Sequence, residues 1–141
     1  ESVRSQILAK YNNDVSFTFR SMPLPNHELS WEAAEAANCA LEQGKYWEYH
    51  DKLFEYQEVM SIEKLPEIAA EIGLDVNQFN ECIVSHKYRG EVQKDYDDGL
   101  AAGIFATPTY FVNSRAYVGL KSFADSQGIA AGEISGSCPA V

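Results

Sequence analysis

The sequence predicts an α/β domain in which a long, all-helical insertion interrupts a small sheet, and three observations predict it. Residues 15–20, Val-Ser-Phe-Thr-Phe-Arg, alternate apolar and polar at the two-residue period of a half-buried strand. From residue 30 to 103 the apolar positions recur at helical spacing instead. Residues 109–112 and 115–119 then return to strand character around Asn113-Ser114, the pattern of a hairpin. At 141 residues and 45% hydrophobic content, the chain can build one sizeable core. A single domain over 1–141, with its insertion at about 30–103, is therefore expected.

In order along the chain, Val3, Ile7 and Leu8 have helical spacing with no residue before them to cap a helix. The chain starts at Glu1 rather than Met, so a signal peptide and more have been removed or the sequence is a fragment. Asn12, Asn13 and Asp14 supply turn chemistry before the strand expected at 15–20. Pro23 and Pro25 then force an extended exit.

Four helices are expected in the insertion, with stops at Gly44 and Gly73 and starts at Ser61 and at Asp75 with Gln78 three residues on. The first, 31–43, sets Ala33, Ala36, Ala37, Ala40 and Leu41 on one low-relief arc and leaves Cys39 outside it, on the side nearer Glu32 and Glu35. The second carries Tyr46, Trp47, His50, Leu53 and Phe54; the third Leu65, Ile68, Ala69 and Ile72; the fourth Phe79, Cys82 and Ile83. Residues 88–102 either extend that fourth helix or form a fifth after a break at Gly90. The hairpin is followed by a short helix over about 121–131 and a small-residue tail, expected to be loose, that contains Cys138.

The formal charge of −10, from 21 acidic and 11 basic residues, argues against nucleic acid and anionic lipid surfaces as partners. No apolar run approaches bilayer length. His27, His50 and His86 have no metal-ligand spacing with one another or with the cysteines, and each reads as a surface or packing histidine. Phosphate loops, nucleophile elbows and paired catalytic carboxylates are not visible, so neither metal nor cofactor is expected.

Three segments raise this reading above fold pattern. They are residues 19–27 with 33–54 (Phe-Arg-Ser-Met-Pro-Leu-Pro-Asn-His, then the run from Ala33 through Asn38-Cys39-Ala40 to Phe54), residues 72–75 with Phe79 and Cys82, and residues 103–113 (Gly-Ile-Phe-Ala-Thr-Pro-Thr-Tyr-Phe-Val-Asn). In this order, and over nearly the whole chain, they resemble the DsbA-like thiol-disulfide oxidoreductases. The resemblance implies a thioredoxin-like fold with an all-helical insertion, its first central strand absent from the chain. It also implies a cis peptide at Thr107-Pro108, in a loop that offers its backbone to an extended substrate. On the residues alone, Pro108 equally suits a trans proline at a strand start. Ala106 stands where the family usually has Gly.

The family's redox C-x-x-C is not among the residues of this chain; its alignment would fall upstream of Glu1. Cys138-Pro139 resembles the start of a C-P-x-C motif, but Val141 occupies the second cysteine's place, and Cys138 reads as a tail thiol. Some members of the resembled family join cysteines at the positions of Cys39 and Cys82, which implies a structural disulfide; two buried, reduced thiols are the other reading. The activity implied is thiol-disulfide exchange on cysteines of periplasmic or otherwise extracytoplasmic proteins, with unfolded or extended cysteine-containing chains as substrates and a membrane redox protein as a further partner. The alternative is a redox-silent peptide-binding module of the same fold. Without its first strand the sheet would have a gap, which a second copy would fill in a homo-oligomer, a rearrangement would close, or a longer protein would supply. The last is the expectation.

Overall fold

The structure, a computed structural model, describes residues 3–12, 14–119 and 122–135. The expectations for Glu1, for Asn13, for the helix start at Lys121 and for the tail with Cys138 lie outside the described residues. The chain divides into two compact units, one of Glu1–Arg20 with Gly103–Val141 and the other Ser21–Ala102.

In the first unit, α1 (Val3–Tyr11) turns Ile7 inward, and α7 (Phe123–Ser135) buries Ala130. The Tyr11 hydroxyl donates to the Gln127 carbonyl at 3.3 Å, tying the two helices end to side. Strands β1 (Thr109–Val112) and β2 (Arg115–Val118) pair antiparallel, with Val112 opposite Arg115 and Thr109 opposite Val118. The two residues between them, Asn113 and Ser114, have φ of +46° and +71°, the sign pattern of the turn whose twist matches flanking strands.

The strand expected at 15–20 is not formed. Val15 and Phe17 are less exposed than Ser16 and Thr18, so the alternation survives as a burial pattern over 15–18, and it is lost at Phe19, which is exposed. A strand also requires a ladder with a neighbour, and among the described residues the sheet consists of β1 and β2.

The second unit is helical: α2 (Ser30–Leu41), α3 (Tyr46–Glu55), a 3-10 turn (Gln57–Val59), α4 (Lys64–Glu71), α5 (Val76–Val84) and α6 (Arg89–Ala101). The insertion therefore holds five α-helices among the described residues. The break falls at Ser85 to Tyr88, not at Gly90, which lies inside α6.

The physical reason is a shared helix ending. After α2, Lys45 N–H reaches back to Ala40 O and Gly44 N–H to Leu41 O; after α4, Leu74 and Gly73 repeat this on Ala69 and Ala70. After α5, Lys87 bonds Cys82 O and His86 bonds Ile83 O in the same pattern. This double closure needs a left-handed residue, supplied by Gly44 and Gly73 and, at φ +50°, by His86. Two stops carry the glycine that sequence reading relies on, and the third does not.

The Ala arc of α2 is central as expected, with Ala36, Ala37 and Ala40 buried, though Leu41 is exposed. Small side chains let α3, α4 and α5 approach, and Tyr49, Leu65, Ile68 and Phe79 fill the space between them. Tyr49 is the largest wholly buried residue; its hydroxyl donates to Leu65 O at 2.9 Å, which satisfies the one polar atom it brings inside. At the rim, Gln43 accepts from Asp75 N–H at 2.7 Å and donates to Asp75 O at 3.1 Å, so the turn after α2 holds the start of α5. Asp75 itself caps α5 by accepting from Gln78 N–H at 3.0 Å, the start signal read from the sequence.

Candidate functional site: the proline loop and the cysteine seam

In the first unit, the chain turns at Gly103, whose φ is +73°, and runs through Ile104, Phe105 and Ala106 to Thr107-Pro108, where the peptide bond is cis. Thr109 closes the loop: its hydroxyl donates to Ala106 O at 2.6 Å. Gly119 N–H donates to Pro108 O at 2.8 Å, so the proline carbonyl is held in the ladder of β2. Phe105 is 84% exposed and Thr107 is exposed, while Pro108 is half-buried. Residues 103–114 contain no charged side chain and no thiol. Chemically this loop can present backbone donors and acceptors, apolar surface and the Thr107 hydroxyl. Electron transfer would have to come from cysteines elsewhere.

In the second unit, Cys39 on α2 and Cys82 on α5 form a disulfide, with S–S 2.01 Å and Cα–Cα 5.9 Å. Cys39 is 1% exposed and Cys82 5%. A disulfide so shielded offers an attacking thiolate no approach in the folded state. Cys39 is flanked on its helix face by two carboxylates that sequence reasoning did not single out. Glu35, 2% exposed, accepts from Arg89 Nη1 at 2.7 Å and pairs with His86 Nδ1 at 3.1 Å. Glu42 pairs with Lys87 and accepts from the Tyr88 hydroxyl at 2.8 Å.

Glu35, Cys39 and Glu42 therefore form one stripe, at the i, i+4, i+7 spacing, that grips the segment from Cys82 to Arg89 by a covalent bond with an ionic clamp on each side. Lys87 and Tyr88 hold the Glu42 carboxyl below the usual carboxylate range. Burial, reinforced by Glu42, pushes the Tyr88 hydroxyl up to about 12. Arg89 also lies over the Trp31 ring, 4.6 Å from its centroid. The helical period shows that residues 35, 39 and 42 share a face. What the sequence lacks is the αL turn at His86, without which their partners cannot be placed.

Of the histidines, His86 serves this clamp, and His50 pairs with Asp51 at 3.0 Å within an aromatic row formed with Tyr46, Trp47 and Phe54. Among the described residues no group of three or more His, Cys, Asp and Glu side chains is placed to hold a metal ion, and no helix is long and apolar enough to cross a membrane.

Helices on either side of a hairpin entered through a cis-proline loop, with a helical unit inserted before it, define a DsbA-like thioredoxin fold. A family model described as thioredoxin matches residues 1–130, and the chain belongs to that family in its DsbA-like branch. Among solved structures it is similar to the thiol-disulfide exchange protein alpha-DsbA2 from Wolbachia pipientis, with a TM-score of 0.80 and 20% identity, covering 92% of this chain and 70% of that one. That likeness shows the fold. Among curated proteins it is 34% identical to Na(+)/H(+) antiporter NhaA 3 of Salinispora tropica over 81% of this chain and 18% of the relative. It is 36% identical to Na(+)/H(+) antiporter NhaA of Herminiimonas arsenicoxydans over 76% of this chain and 17% of the relative. The chain thus spans under a fifth of the length of these relatives.

Proposed function

We propose that this domain is the substrate-holding part of a DsbA-like thiol-disulfide oxidoreductase acting on cysteines of extracytoplasmic proteins. The observation that carries this reading is the uncharged loop of residues 103–109, which presents backbone and apolar surface at the entry to β1. Backbone pairing recognises extended chains without demanding a sequence, which suits a substrate defined only by being unfolded and containing cysteine. Thr107 and Pro108 are the site elements on this chain. In the exchange itself a thiolate attacks one sulfur of a disulfide, a new S–S bond forms, the old one breaks, and the displaced sulfur leaves as thiolate. Of the three cysteines here, Cys39 and Cys82 are joined and buried, so the attacking pair belongs to residues other than these.

The absence of a C-x-x-C from the 141 residues favours a second reading, a redox-silent module that holds extended peptides by the same loop. The likeness to part of two proteins named as Na(+)/H(+) antiporters supports adding an extracytoplasmic position next to a membrane protein to the proposal.

The purified chain should bind an extended cysteine-containing peptide, with amide shifts concentrated at Ile104 to Phe111, and should not reduce or oxidise it. The native polypeptide that carries this domain, isolated from its own host, should exchange the peptide's disulfide. A native protein that binds but never exchanges establishes the redox-silent reading; absence of binding by both refutes the two together.

A further inference from the structure

Within the helical unit, the turn that joins α5 to α6 sits astride Cys39 on α2. His86 and Arg89 reach Glu35, one turn to the N-terminal side of that cysteine, and Lys87 and Tyr88 reach Glu42, one turn to its C-terminal side. The two carboxylate positions are about 10 Å apart along the helix axis, so residues 86–89 bridge the whole stretch that carries Cys39. Arg89 adds a third anchor on the same helix, its guanidinium 4.6 Å from the Trp31 ring centroid. Cys39, under this turn, and Cys82, at its root, are both buried. The backbone of the turn is held by little else: Lys87 N–H bonds Cys82 O at 3.2 Å and His86 N–H bonds Ile83 O at 3.0 Å. His86 also has φ +50°, a left-handed conformation that disfavours a β-carbon, so the side-chain anchors hold the turn against its own conformational preference.

We infer that residues 85–89 are a strap that the Glu35 and Glu42 clamps hold closed over the Cys39–Cys82 disulfide, so that this bond is open to exchange only while the strap is lifted. The disulfide fixes the strap at Cys82 and leaves residues 86–89 able to lift without breaking a covalent bond. Lifting is a local opening of one short turn, not an unfolding of the core around Tyr49 and Phe79. With the strap lifted, a dithiol's thiolate attacks one of the two sulfurs, a mixed disulfide forms and the other cysteine leaves as a thiolate. The dithiol's second sulfur then displaces the first cysteine, so both cysteines are reduced and take up protons from water while the dithiol is oxidised to a cyclic disulfide. The strap thus keeps a structural bond out of reach of surrounding thiols, and it does so whether the native polypeptide exchanges disulfides or only holds peptides.

Native-state reduction tests this. The oxidised full chain is incubated with dithiothreitol at mildly alkaline pH and alkylated at intervals, and peptide mass spectrometry reads the labels on Cys39 and Cys82 apart from Cys138. Glu35→Gln should raise the rate of reduction about tenfold and Glu42→Gln about threefold, the equivalents of losing a charge-assisted bond from a buried carboxylate and from one at the rim. Glu71→Gln, which breaks the Lys52–Glu71 pair between α3 and α4, should leave the rate unchanged. Urea below the unfolding transition should change the parent's rate little, since lifting a short turn exposes little surface. Glu42→Gln decides the matter if Glu35→Gln does not fold. A clamp variant that folds and is reduced at the parent's rate overturns the inference, as does a Glu71→Gln rate raised as much as theirs or a parent rate that climbs with urea as steeply as global unfolding.

Discussion

Glu35 is almost wholly removed from solvent, and its two partners are not: Arg89 and His86 side chains remain 46% and 62% exposed. Replacing Glu35 with Ala therefore leaves cations that water can reach, and should cost about 1.5–3 kcal/mol, the range for hydrogen bonds to charged groups, rather than the larger penalty of a stranded buried charge. Urea unfolding of E35A against the parent chain measures this. Two further carboxylates contribute to stability through pH. Glu42 and Glu71 are both held below their ordinary value of 4.5, Glu42 chiefly by Lys87 and Glu71 chiefly by Lys52. A depressed carboxylate contributes stability that is present above its unfolded pKa and lost as pH falls through its folded one. The melting temperature should accordingly fall below about pH 4.5, and the double variant E42Q/E71Q should show a shallower acid limb. Helical periodicity makes the shared face of Glu35 and Cys39 readable from sequence. It does not reveal that a glutamate goes inside, because that depends on an arginine 54 residues away.

At the scale of elements, the helix ends show what sequence carries and what it does not. Gly44 and Gly73 mark their stops because a left-handed residue is cheapest as glycine, whereas His86 adopts the same conformation and leaves no compositional trace. The hairpin turn has a similar cost: Ser114 sits at φ +71° in a position where glycine is favoured. Ser114→Gly is expected to stabilise the protein by about 1 kcal/mol, as read from its thermal midpoint, since the left-handed conformation penalises a β-carbon by roughly that amount. The segment at 15–20 is the converse case. Its apolar alternation is followed by partial burial of Val15 and Phe17 against exposed Ser16 and Thr18, though not by Phe19, and alternation specifies which side chains turn inward and not whether a ladder forms. Strand identity is a property of a pair.

At the scale of the whole molecule, the helical unit of Ser21–Ala102 contains its own core, its own disulfide and both ionic clamps. Expressed alone it should unfold in a single cooperative transition. Loop-closure entropy across the 43 positions between Cys39 and Cys82 gives an upper figure of about 4 kcal/mol for what reduction removes. A reduced sample that melts at the oxidised temperature would show that the clamps alone hold the Cys82 to Arg89 segment.

The family and the helical insertion were legible because loop 103–113 and the helix starts and stops are local signals. The proposed activity is harder to read, since residues 103–114 contain no thiol and no charged side chain that would mark a reaction. Disulfide exchange by the native polypeptide that carries this domain, set against peptide binding by the 141-residue chain alone, is the most direct measurement. Exchange by the former, with binding but no exchange by the latter, is the predicted result; a native protein that cannot exchange a disulfide in any peptide the domain binds would contradict it.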